Sequence, residues 1–86
     1  MKLNKDFILH ISDDETILVP TGNAKFSGIV RGNKTLGAVL ELLQQDTTEE
    51  EIIASLQNRF DAPEDMIARD VKKALEGLSK IGAVDE

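Results

Sequence analysis

The side chains with chemical reach are few: the 86 residues hold one histidine and no cysteine, tyrosine or tryptophan. His10 is followed by Ser12, Asp13 and Asp14, groups that occur in nucleophilic relays. Sequence neighbours on an extended segment point to opposite faces, so these residues cannot assemble a hydrogen-bonded triad. A solvated strand histidine beside turn residues accounts for them. One imidazole with scattered carboxylates also lacks the ligand spacing of a metal site. Without cysteine there are no disulfides, thiolate nucleophiles or redox motifs.

A second candidate is the run Gly28-Ile-Val-Arg-Gly-Asn33-Lys34-Thr35, one residue away from the phosphate-binding pattern G-x-x-x-x-G-K-[ST]. Here Asn33 replaces the last glycine. A nucleotide hydrolase also needs a parallel sheet and a second strand bearing a metal-binding acid, which this length cannot accommodate. Asn33 reads as a helix cap. Glu49, Glu50 and Glu51 fall in a helical first turn, where negative charge meets the helix dipole. Arg69, Lys72 and Lys73 could face a phosphate backbone, but Glu64, Asp65, Asp70 and Glu76 share their helix and oppose it.

The elements that must position these groups follow from periodicity. Phe7 to Ser12 suits a strand, Asp13-Asp14 a turn, and Glu15 to Val19 the hairpin partner, stopped at Pro20. After a turn at Thr21-Gly22-Asn23, residues 25–31 form a third short strand in which Gly28 marks a bulge or a close backbone approach. Leu36, Val39, Leu40 and Leu43 then recur at helical spacing behind Asn33. Thr48 with Glu51 is a capping box before Ile52, Ile53, Leu56 and Phe60. Pro63 in the first helical position opens a third helix with an apolar stripe at Ile67, Val71, Ala74, Leu78 and Ile81. The expected fold is therefore α+β and winged-helix-like: a three-stranded antiparallel β-sheet followed by three α-helices, forming one domain over residues 1–86.

Composition narrows the function. The chain is 41% hydrophobic and 30% charged, with a net charge of −6. Residues 1–43 balance five basic against five acidic side chains, whereas residues 44–86 hold five against eleven, which argues against a nucleic-acid surface in the second half. No signal peptide or membrane span can be drawn, so a cytoplasmic protein is expected. A domain of this size leaves roughly 30–40% of its unfolded surface exposed, and a shallow groove suits it better than a deep catalytic cavity. The third strand ends the meander, and an edge strand is a docking site where an extended peptide gains backbone hydrogen bonds beside a helical wall. Met66, Asp70, Lys73 and Gly77 form a shoulder on the third helix, next to its apolar stripe.

The stretch from Arg31 to Leu43, then Thr47 to Ile53, Leu56, Phe60 to Glu64, Val71, Leu75, Leu78 and Gly82, resembles the PqqD-like family. That family comprises the coenzyme pyrroloquinoline quinone synthesis D proteins and related precursor-peptide recognition elements. The resemblance covers nearly the whole chain and rests more on the order of elements than on any residue. It implies a winged-helix-like adaptor without catalytic residues, which binds the leader of a ribosomally made precursor peptide as an added strand on the third strand, against the third helix; no metal or cofactor is expected. The adaptor presents that peptide to a modifying enzyme, often a radical S-adenosylmethionine enzyme.

Carried over by position, the groove comprises Phe26, Ser27, Gly28, Ile29, Val30 and Arg31 from the strand. From the helix it takes Met66, Ile67, Asp70, Val71, Lys73 and Ala74. Leu40 stands where many relatives carry Trp and Leu36 where many carry Gly, departures that favour a peptide-maturation system other than pyrroloquinoline quinone synthesis. The expected partners exclude nucleic acid and membrane, and the chain is a monomer or homodimer. Two other classes stand beside the adaptor: a winged-helix DNA-binding regulator, and a structural or regulatory domain associating through the same strand edge.

Overall fold

A computed structural model describes residues 1–13, 15–22, 24 and 28–85. The elements run β1 (Lys2–Leu3), β2 (Phe7–Ile11), β3 (Thr16–Pro20), β4 (Val30–Gly32), α1 (Lys34–Leu42), α2 (Glu49–Arg59), α3 (Glu64–Lys80) and β5 (Val84–Asp85). Strands β2, β3 and β4 make an antiparallel sheet in that order, and the three helices follow it, as the periodicity predicts.

The hairpin register pairs Phe7 with Pro20, Leu9 with Leu18 and Ile11 with Thr16. This alternation turns Phe7 and Leu18 into the core and leaves Ile8 and Val19 on the outer face. Against the inner face the helices contribute Val39, Leu40, Leu43, Ile52, Leu56 and Val71, all fully buried. On α3 the buried residues are Ile67, Val71, Leu75 and Leu78. Leu75 thus takes the core position that the expected stripe assigned to Ala74, which is half-buried.

The caps behave as their residue types dictate. The Asn33 side chain accepts a hydrogen bond from the Leu36 amide at 3.0 Å, and Thr48 Oγ1 accepts from the Glu51 amide at 3.1 Å. The Glu51 carboxylate accepts from Thr47 Oγ1 at 3.0 Å, one residue upstream of the usual capping-box partner. Pro63 differs from expectation. Its ψ of 141° is extended, so it precedes the helix as the N-cap, while its carbonyl accepts from the Met66 and Ile67 amides, each at 3.1 Å.

Two features have no counterpart in the sequence pattern. The third strand is shorter and later than expected: the described part begins at Val30, while Lys25, Phe26 and Ser27 lie outside the described residues. Gly28 has φ +126°, a conformation open to glycine and foreign to a regular strand, at the position where the sequence expects a bulge or a close backbone approach. The other feature is a second sheet, in which β1 and β5 pair antiparallel with Leu3 opposite Val84. Strands of two residues carry no readable alternation. They join the two ends of the described chain, where the Asn4 amide also donates to the Ala83 carbonyl at 2.7 Å, and the Leu3 amide ties β1 to the end of α1 by donating to the Leu43 carbonyl at 2.8 Å.

Candidate functional site

Strand β4 lies at one end of its sheet. It pairs with β3 on one side, Gly32 opposite Thr16, Arg31 opposite Ile17 and Val30 opposite Leu18. Antiparallel pairing uses the N–H and C=O groups of alternate residues and points the others away. Among the described residues no strand occupies that outer side, and no loop or turn hydrogen bond engages the backbone of residues 30–32. Val30 packs against the core, whereas Arg31 is exposed and Ile29 is 58% exposed on the solvent side.

The turn from β4 into α1 is held by a close approach. A Cβ on Gly32 would overlap the Leu36 side chain, with Leu36 Cβ at 2.9 Å and Cγ at 3.0 Å. Glycine is therefore required there to bring the first turn of α1 against the strand end. Beside this turn runs a cleft of ≈ 380 Å³ between Gly32, Asn33, Thr35 and Leu36 on one bank and Asp70, Lys73 and Ala74 of α3 on the other. Gly32 belongs both to the end of β4 and to the lining of this cleft.

The expected groove residues are only partly brought together. Asp70, Lys73 and Ala74 line the cleft, and Val30 and Arg31 form the strand edge. Gly28 and Ile29 lie further along the sheet, lining a separate surface depression with Val19 and Pro20. Met66 is 42% exposed at the start of α3. Val71 is fully buried and supports the helix from behind instead of lining the groove. Ile67, 5% exposed, reaches only the floor of a neighbouring depression. Phe26 and Ser27 lie outside the described residues. The start of α1 forms a wall of the cleft through Asn33, Thr35 and Leu36, residues outside the groove expected from the sequence. Its glycine-flanked sequence was the available signal, and it pointed to phosphate instead of to a close helix–strand approach.

The other chemical candidates are dispersed. His10 is exposed on β2, opposite Ile17, and the Ser12 hydroxyl donates to the Glu15 carbonyl at 3.2 Å within the hairpin turn. Lys34 is exposed beyond the Asn33 cap. No group of three His, Asp or Glu residues that could hold a metal ion occurs among the described residues. Arg69, Lys72 and Lys73 are exposed on α3, as are Glu64, Asp65, Asp70 and Glu76. Among the described residues no helix is long and apolar enough to cross a membrane. A further cleft of ≈ 300 Å³ opens on another side of α1, where Thr16, Gly37, Arg59 and Phe60 contribute. Its wall includes the Arg59–Glu41 ion pair at 3.5 Å.

Comparison with solved structures finds the same fold in TbiB1 in complex with the TbiA(beta) leader peptide, with a TM-score of 0.77 and 19% identity over 99% of this chain and 100% of that one. Lasso peptide synthetase B1 complexed with the leader peptide is similar, with a TM-score of 0.76 and 13% identity over 99% and 96% of the respective chains. At these identities the likeness is one of fold. No curated protein sequence matches the chain. The family model for coenzyme PQQ synthesis protein D matches residues 14–84, from the hairpin turn through α3 to β5, and the chain belongs to the PqqD family.

Proposed function

We propose that this protein is a peptide-binding adaptor. It takes the leader of a ribosomally synthesised precursor peptide as an added strand on β4, against α3, and presents the remainder to a modifying enzyme. The observation that carries this reading is the open backbone row of β4 next to the cleft bounded by Asp70, Lys73 and Ala74. Backbone hydrogen bonds supply affinity that any extended sequence can use, and side-chain pockets beside the edge supply discrimination. Membership of the PqqD family and the leader peptides bound to TbiB1 and lasso peptide synthetase B1 support the same reading.

In this role residues 1–86 act as one recognition domain in the cytoplasm, with no catalytic step of their own. The chemistry belongs to the partner, for which a radical S-adenosylmethionine enzyme is the class that the family resemblance favours. Leu36 and Leu40 favour a precursor other than that of pyrroloquinoline quinone.

The test is a titration of the ¹⁵N-labelled protein with the N-terminal segment of a short precursor peptide encoded beside its gene. Shifts concentrated at residues 28–32 and 70–74 are expected. Shifts concentrated on β2, the opposite edge of the sheet, would overturn the assignment.

A further inference from the structure

Strand β4 has only three residues, so strand addition alone offers a short hydrogen-bonded contact. The cleft beside it continues. Thr35 and Asp70 belong both to the cleft at the end of β4 and to a second one at the corner between α2 and α3. The corner cleft has a floor of Leu56 and Ile67, 0% and 5% exposed, and sides formed by Phe60 and Met66. Met66 is 42% exposed, so its side chain is reachable from solvent, and its flexible thioether adapts to different occupants. The cleft measures ≈ 260 Å³, below the roughly 300–1,000 Å³ of small-molecule sites, a size suited to one side chain. Of the residues lining it, two are acidic, Asp61 and Asp70, and none is basic.

We infer that this corner is an anchor pocket for one aliphatic or aromatic side chain of the bound peptide, with a lysine or arginine next to it in the peptide meeting Asp61 and Asp70. The inference rests on the strand-addition reading and adds a sequence requirement to it. Spacing follows from geometry. From Ala74, beside the end of β4, back to Met66 is eight helical residues, or roughly 12 Å at 1.5 Å per residue. An extended peptide covers that distance in about four residues. The ligand is therefore a β-prone stretch paired with β4, followed or preceded at a distance of about four residues by an apolar–basic pair.

The test begins with a random-peptide display library selected on the full chain, whose enriched sequence is then synthesised as the probe. The protein contains two methionines, Met1 and Met66, so ¹³C-methyl labelling gives one reporter in the corner. The second reporter lies in a different cleft, where Met1 meets Glu49, Glu76 and Val84. With the probe, the Met66 methyl and the amides of residues 30–32 shift together while Met1 stays fixed. Replacing the apolar anchor in the peptide by alanine weakens Kd by roughly tenfold to a hundredfold, the equivalent of burying one such side chain. The Asp61→Asn, Asp70→Asn double variant reduces the preference for lysine over glutamine at the neighbouring position by about two- to fivefold.

Amide shifts at residues 30–32 with a motionless Met66 signal would overturn the anchor and leave strand addition standing. A Met66 shift that does not depend on the apolar residue of the probe also overturns the anchor. If no peptide is enriched, or residues 30–32 do not respond, both readings fall.

Discussion

Gly37 of α1 and Thr16 of β3 are in such close contact that a Cβ on Gly37 would collide with the Thr16 hydroxyl oxygen, with Thr16 Cβ and Cγ2 at 3.6 and 3.7 Å. Both residues are buried, and Thr16 is also the partner of Gly32 at the end of β4. This one contact therefore sets how closely α1 sits on the sheet and where the strand edge meets the first helical turn. Gly37→Ala is expected to destabilise the fold by about 1–3 kcal/mol through overpacking, despite alanine's better helix propensity. Adding Thr16→Ala removes the obstructing hydroxyl and recovers most of that loss. Thermal denaturation of the two single variants and the double variant checks this, and additive losses would contradict it.

Proline substitutions along β4 separate the strand's two sides. Antiparallel pairing directs the N–H groups of successive residues alternately to β3 and away from it. Of Val30→Pro and Arg31→Pro, one therefore breaks a bond to β3 and the other removes a donor from the outer row. One variant should lose stability, and the other should keep its Tm yet bind a leader peptide at least tenfold more weakly. Unimpaired binding by both variants would argue against strand addition on β4.

Asn33 is predicted to act as a helix cap and not as part of a phosphate loop. Asn33→Ala removes the acceptor for the Leu36 amide and should cost about 1 kcal/mol in chemical denaturation. ATP titrated into the unmodified protein should show no submillimolar affinity. Nucleotide binding abolished by the same substitution would reverse the assignment.

Leu40 is fully buried and belongs to the core shared by the sheet and helices. Introducing the larger side chain of the resembling proteins, Leu40→Trp, should destabilise by about 1–3 kcal/mol, because the surrounding residues are packed for leucine. An equally stable tryptophan variant would indicate space in the core that the packing does not show.

Ionic strength distinguishes the adaptor from a DNA-binding regulator. Leader binding by backbone hydrogen bonds and apolar contacts should weaken less than about tenfold between 50 and 200 mM salt, whereas a surface neutralising 6–10 phosphates loses roughly 10³–10⁵ in affinity over that range. The mixed charges of α3, with Arg69, Lys72 and Lys73 exposed alongside Glu64, Asp65, Asp70 and Glu76, predict the shallow dependence. Fluorescence anisotropy at several salt concentrations, with a labelled leader and a labelled duplex, decides between them.

What the sequence by itself determined is the set of elements governed by local physics. Asn33 and Thr48 mark their helix starts because a side-chain oxygen can satisfy only a nearby amide. The hairpin is legible in the same way, since Phe7 and Leu18 alternate with outward residues along β2 and β3. The family resemblance was legible too, because it lies in the order of strands and helices.

Tertiary structure alone decided the relationships between residues distant along the chain. It placed Leu3 beside Val84 in a second sheet, selected Leu75 over Ala74 for the core and turned Val30, not Arg31, inward. It also joined the first turn of α1 to Asp70 and Met66 in two linked clefts. Those outcomes depend on which surfaces meet when the chain closes on itself. Close packing fixes such meetings through shape and volume, which a one-dimensional pattern of apolar and polar residues does not encode.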